Sequence, residues 1–126
     1  MVAGRPEQAT AAALVVVGAF QVALAAGAPW GRAAYGGTRA GVLPRHLRTI
    51  SGLAALTYGG AAALILLDSG SPGARAQGFA ALSLFMGVGA VVNGASRSPV
   101  ERALWTPVTM ATTVLAWRSR NRSAPA

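Results

Sequence analysis

The sequence predicts an all-α fold: a four-helix transmembrane bundle, up-down-up-down, with its termini on the same side of the membrane. Three observations predict it. Charge is absent from four long windows, prolines and glycines punctuate their borders, and two of the three connections are only a few residues long. The uncharged windows run from Gln8 to Gly31, Thr49 to Leu67, Ala76 to Ser96 and Ala103 to Trp117. A helix rises about 1.5 Å per residue, so about 20 apolar residues cross a hydrocarbon core about 30 Å thick. The 126 residues hold four such spans and their connections, hence one membrane domain, 1–126, without room for a second core.

The first helix is expected over about residues 6–27. Pro6 suits the first helical position, where a missing N–H has no partner to lose, and Gly27 marks the end. Arg5 and Ala26-Gly27-Ala28 also give this run the outline of a signal peptide. Its length, Glu7 in the leading segment and the spans that follow favour a retained helix. Residues 28–43 form the one long loop. The second helix is expected over 44–68, opened by Pro44 and followed by Gly70; the third over 72–93, opened by Ser71-Pro72 and stopped by Gly94. The fourth is expected over 99–118. Its start, Ser98-Pro99-Val100-Glu101, reads as a capping box in which the Glu101 carboxylate reaches back to the Ser98 N–H. The short connections 69–71 and 94–98 make consecutive helices antiparallel neighbours, and a bundle follows. Trp30, Tyr35, Trp105 and Trp117 fall near span ends, as interfacial anchors do.

Within the spans, small residues recur every four positions: Ala19, Ala23 and Gly27; Ala55, Gly59 and Ala63; Ala90 and Gly94. Such stripes let helices, or a second copy of the chain, approach closely in lipid. The fourth helix, with Thr106, Pro107, Thr109, Thr112 and Thr113, is too weakly apolar to insert securely alone. Pro107 cannot donate to the Ala103 carbonyl and should kink it, with Thr106 satisfying part of the freed backbone. Gln21, an amide at depth, is expected to make an interhelical hydrogen bond.

Composition agrees with a membrane setting. Hydrophobic residues make up 53% of the chain and charged ones 11%, against roughly 25% charged in soluble domains. The net charge is +8, and every basic residue is arginine. A nucleic-acid surface gathers its cations on one face, whereas these flank the apolar runs. No nucleic-acid partner is expected; membrane lipids are, together with a second copy or another membrane protein. With no cysteine, disulfides, thiol chemistry, Cys-ligated zinc and thiol lipidation are excluded. Arginines divide six to five between the two sides, so the dense tail Arg118-Ser119-Arg120-Asn121-Arg122 alone favours a cytoplasmic C-terminus. The layout resembles small multidrug exporters, but the acid those proteins carry inside their first helix is missing, and that function is rejected.

The polar residues that could carry chemistry share the side of the long loop: Arg45, His46 and Arg48 at the start of the second helix, and Arg97, Glu101 and Arg102 between the third and fourth. Asp68 lies about 30 Å from His46 along its helix, so Glu101 is the acid within reach. An acid, a histidine and arginines around one rim can bind a lipid phosphate or another anion, or support acid–base work on a lipid. Helix capping by Glu101 and interfacial arginines account for the same residues more simply. His46 is the single histidine, so no metal site and no cofactor are expected.

Trp30-Gly31 through Gly36-Gly37, Gly41-Val42-Leu43-Pro44 with Leu47-Arg48, and Asn93 through Ser96, Ser98, Glu101-Arg102 and Pro107 resemble uncharacterised small four-helix integral membrane proteins of high-GC bacteria. That resemblance implies the four-span topology and a bacterial inner membrane, points to the loop side, and supplies no activity. The leading expectation is therefore a non-enzymatic structural or accessory membrane component. A small transporter or lipid-headgroup-binding module using the arginine rim is the alternative. A membrane enzyme with His46 and Glu101 as base and acid comes last, because no nucleophile accompanies them.

Overall fold

The computed structural model describes residues 4–123. It contains four helices, α1 (Arg5–Ala25), α2 (Arg45–Leu66), α3 (Pro72–Gly94) and α4 (Pro99–Ser123), with two single 3-10 turns, Gly31–Ala33 and Tyr35–Gly37, in the long loop. Among the described residues there is no strand; a lone bridge joins Trp30 to Gly41.

The helix ends follow backbone chemistry, and four of them differ from the sequence reading. α1 stops at Ala25 because Gly27 turns left-handed (φ +101°), letting the Ala28 N–H bond the Ala23 carbonyl at 2.9 Å. α2 stops at Leu66, and its left-handed residue is Asp68 (φ +53°) rather than Gly70 alone. The Asp68 carboxylate pairs with Arg75 across the turn at 3.4 Å. Pro44 stands just outside α2 in extended conformation rather than as its first residue. α4 runs past the expected 118 to Ser123, because Ser119 is buried against Thr10 (3.2 Å) and Arg122 pairs with Glu7 (3.2 Å).

Packing divides the bundle into two hairpins. α1 lies antiparallel on α2, with Gly18 against Ala55 and Gly59, and Gly52 against Ala25. α3 lies antiparallel on α4, with Gly87, Gly89 and Gly94 opposite the methyls of Thr113, Thr109 and Thr106. This explains the weak apolarity of α4. Thr109, Thr112 and Thr113 return their hydroxyls to carbonyls of their own helix at 2.6, 2.7 and 2.8 Å, and the Thr109 and Thr113 methyls face the glycines of α3. Ser83 adds a bond from α3 to the Thr113 carbonyl at 2.9 Å. α1 and α4 join the hairpins through Thr10 and Ser119, and through Phe20 and Trp105 with ring centroids 4.5 Å apart.

The short connection from α2 to α3 does not make those helices close neighbours. Where they meet they do so through large side chains: Tyr58 and Phe85, 6.4 Å between centroids, and Ile65 and Leu82 around a cluster of Ala11, Leu14, Ala62 and Met86. Pro107 sits inside α4 without ending it, and the Thr106 hydroxyl, expected to serve the freed backbone, is buried with no partner. The outer surface is apolar, with Leu56, Leu67, Leu84 and Val91 each more than 70% exposed. α1, α2 and α3 are each long and apolar enough to cross a membrane.

Candidate functional site: the chamber beneath the long loop

The loop folds back onto the bundle because glycines let it. Gly31 is buried, its N–H bonds the Gly41 carbonyl at 2.9 Å, and a Cβ there would lie 2.8 Å from that same oxygen and closer still to the Arg39 carbonyl oxygen. Tyr35 (φ +49°), Gly36 (φ +76°) and Gly37 (φ +67°) form a left-handed run that a non-glycine residue enters only at a cost. Ala34 and Leu43 then pack on Leu24, with Phe20 and Leu47 around them.

Polar bonds fix the loop to the start of α4. The Trp105 indole N–H donates to the Ala33 carbonyl at 2.9 Å, so this tryptophan is a buried bundle residue and not the interfacial anchor its position suggested. The Ser98 hydroxyl donates to the Arg32 carbonyl and accepts the Glu101 N–H at 3.3 Å. The second arm of the capping box is absent. The Ser98 N–H instead bonds the Ser96 hydroxyl oxygen at 3.1 Å, and the Glu101 carboxylate accepts from the Gly36 N–H (3.2 Å) and the Ser96 hydroxyl. Glu101 thus holds the loop tip rather than its own helix end.

Beneath this lid lies a cavity of about 190 Å³ between the helices. Phe20, Tyr35, Tyr58, Phe85 and Trp105 give it ring surfaces; Gln21, Asn93 and Glu101 give it polar ones. The Gln21 amide oxygen is buried without a partner, in place of the expected interhelical bond. The Tyr35 hydroxyl closes one edge through Ser51 at 2.9 Å.

The arginines go elsewhere. Arg48 donates to the Ala25 carbonyl at the end of α1 (3.1 Å), Arg75 to Gly70 after α2 (2.6 Å) and Arg102 to Ser96 after α3 (2.7 Å). Each of the first three helices therefore receives, at its negative end, a guanidinium from the helix that follows. Arg45, His46 and Arg97 are exposed. Among the described residues the ion pairs are Arg75–Asp68 and Arg122–Glu7, so Glu101 pairs with neither His46 nor an arginine. Of the six rim residues, Glu101 borders the chamber, Arg48 and Arg102 bond helix-end carbonyls, and Arg45, His46 and Arg97 are exposed.

Sequence reasoning named Gln21 and Asn93 and missed that Phe20, Tyr58 and Phe85 join them. Tyr35 followed by Gly36-Gly37 was the available signal, since a glycine pair after an aromatic residue permits a tight turn that can aim its ring back at the bundle. Comparison with protein-family models, with curated proteins and with solved structures gave no match.

Proposed function

We propose that this chain is a four-span integral membrane protein of a bacterial inner membrane, with both termini on one side, serving as a non-enzymatic component of that membrane. One observation carries the reading. The chemistry-bearing residues of the loop face, Ser96, Ser98, Glu101, Arg48, Arg102 and Trp105, all bond backbone or side-chain groups that close the bundle. The apolar outer flanks of α1 to α3 support immersion in lipid, and the glycine face of α3 supports carrying α4 across with it. The all-arginine, alanine- and glycine-rich composition and the resemblance to small four-helix proteins of high-GC bacteria support the bacterial assignment.

The natural absence of cysteine makes the test clean. Single cysteines replacing Thr38, Ser69 and Asn121 are probed with a membrane-impermeant maleimide in intact and in lysed cells. Ser69→Cys and Asn121→Cys are expected to share one side and Thr38→Cys the other. Recovery of the folded chain in a detergent-free soluble fraction overturns the proposal. The exposed Arg45, His46 and Arg97 favour a second reading, contact with anionic headgroups at the loop-side interface. Under it, an anionic lipid retained in native mass spectra disappears when Arg45 and Arg97 are changed to alanine.

A further inference from the structure

We propose that the chamber beneath the long loop binds a neutral, lipid-soluble ring bearing an oxygen at either end, the chemistry of a quinone or quinol with an apolar tail. The route of entry rests on the membrane assignment; the site itself rests on the chamber. Most polar groups around the cavity are already engaged. The Tyr35 hydroxyl is bonded to Ser51, the Trp105 indole to Ala33 and the Thr109 hydroxyl to its own helix. The Glu101 carboxylate holds the loop, and Gln21 leaves only its amide nitrogen open. Tyr58 and Asn93 are different. Both line the chamber, neither side chain has a hydrogen-bond partner among the described residues, and the polar atoms of both stay open to a water-sized molecule.

Their placement aims them at one ligand. The tight turn between α2 and α3 makes those helices antiparallel, and a helical side chain leans toward the N-terminus of its own helix. Tyr58 therefore leans toward the loop and Asn93 away from it. Tyr58 faces Phe85 at 6.4 Å between ring centroids, and Asn93 lies two turns, about 12 Å, further along α3. Leaning from the two ends of that interval, a phenol hydroxyl and an amide meet the opposite oxygens of a single ring. Both groups donate or accept, so a carbonyl and a hydroxyl are served alike. Phe20, Phe85 and Trp105 supply ring surface between them. An apolar cavity of about 150 Å³ takes up benzene, and this one, at about 190 Å³, suits one substituted ring. The tail has a way out. α2 and α3 stand apart, and Phe85, a wall of the chamber, is 60% exposed on the outer surface. The seam thus sets the chamber beside the apolar flank, where Leu84 and Val88 are exposed and an alkyl tail lies among lipid chains. A charged ligand would forfeit its hydration among these rings.

The test uses the full-length protein in detergent micelles, with decyl-plastoquinone as the probe, a ring that quenches tryptophan emission at close range. Quenching is expected to contain a saturable component equal to one quinone per chain, from Trp105 in the chamber wall. The matching quinol is expected to displace it at least tenfold more effectively than decylbenzene or decyltrimethylammonium, which share the tail and lack the two oxygens. Tyr58→Phe, which keeps the ring against Phe85, and Asn93→Leu are each expected to weaken the quinone at least fivefold, with an unchanged circular dichroism spectrum and melting curve. Quenching that rises linearly without saturation, displacement by decylbenzene or decyltrimethylammonium as effective as by the quinol, or an unchanged quinone affinity in either variant overturns the proposal. Neither variant touches a loop anchor, so the result stands apart from loop closure. Micelles impose no topology, so it also stands apart from the maleimide labelling.

Discussion

Glu7 and Glu101 are both buried in the first turn of a helix, at opposite ends of the bundle, and they are held in opposite ways. Glu7 meets a guanidinium from the far end of the chain, Arg122, which is 59% exposed, and its other oxygen has no partner. Glu101 meets no cation; a backbone N–H and a serine hydroxyl occupy its two oxygens. The terminal end is therefore closed by charge on a long, mobile side chain near water, where such pairs contribute little. The loop end is closed by short neutral donors, a backbone N–H and a serine hydroxyl, gathered on a buried carboxyl group.

The most disruptive way to break this contrast is to add one methyl group at each end. Gly31→Ala drives a Cβ into the Arg39 and Gly41 carbonyls, backbone atoms that cannot step aside. A loss of about 3 kcal/mol is expected, the upper range for overpacking, measured by SDS titration of the purified protein. The tryptophan emission should shift red as Trp105 loses Ala33. In Gly4→Ala the added Cβ meets only the ends of the Arg122 and Glu7 side chains, which can swing away. Less than about 1 kcal/mol is expected there.

Removing the acids sharpens the same comparison. Glu101→Ala leaves the Gly36 N–H and the Ser96 hydroxyl without their acceptor, and about 2 to 3 kcal/mol should be lost, the scale of hydrogen bonds to a charged group. Glu7→Ala should cost about 1 kcal/mol or less. Ionic strength separates them further. The Glu7 effect should shrink as salt rises, while the Glu101 effect, away from mobile ions, should not.

These differences mark where the sequence was legible. The four helices could be placed because a charge-free window of span length has few other uses, and because proline and glycine act on the residues beside them. Contacts between distant segments were not legible. Nothing local to Ser98-Pro99-Val100-Glu101 indicates that Ser96 replaces Glu101 at the Ser98 N–H, since that substitution depends on Gly36 arriving from 65 positions away. The partners of the rim residues were hidden for the same reason. Arg48 and Arg102 bond carbonyls of Ala25 and Ser96, partners supplied by the end of the preceding helix rather than by neighbours in sequence. α2 and α3 misled in another way: a tight turn fixes direction, but Tyr58 and Phe85 fix distance.

Trp105→Phe gives a smaller effect at the loop end. It keeps the ring packed on Phe20 and removes the indole N–H that bonds the Ala33 carbonyl, so about 1 kcal/mol should be lost. Trp30 would then remain as the only tryptophan near the loop, and its emission would report loop position directly.

The smallest expected change is also the one with an inverted sign. Four threonines of α4 face inward or sideways, and three of them return their hydroxyls to carbonyls one turn back. Thr106 does not; its hydroxyl oxygen is buried with no partner while its methyl packs over Gly94. Burying a hydroxyl without a hydrogen bond costs free energy, and valine keeps the branched shape while removing that group. Thr106→Val should therefore leave the protein unchanged or stabilise it by up to about 1 kcal/mol. Thr113→Val, which removes a bonded hydroxyl from the same helix and the same glycine-lined face, should destabilise by about 0.5 to 1 kcal/mol. Side-by-side SDS titrations of the two variants check the sign. A Thr106→Val protein less stable than Thr113→Val would mean that the Thr106 hydroxyl serves the carbonyl freed by Pro107 after all.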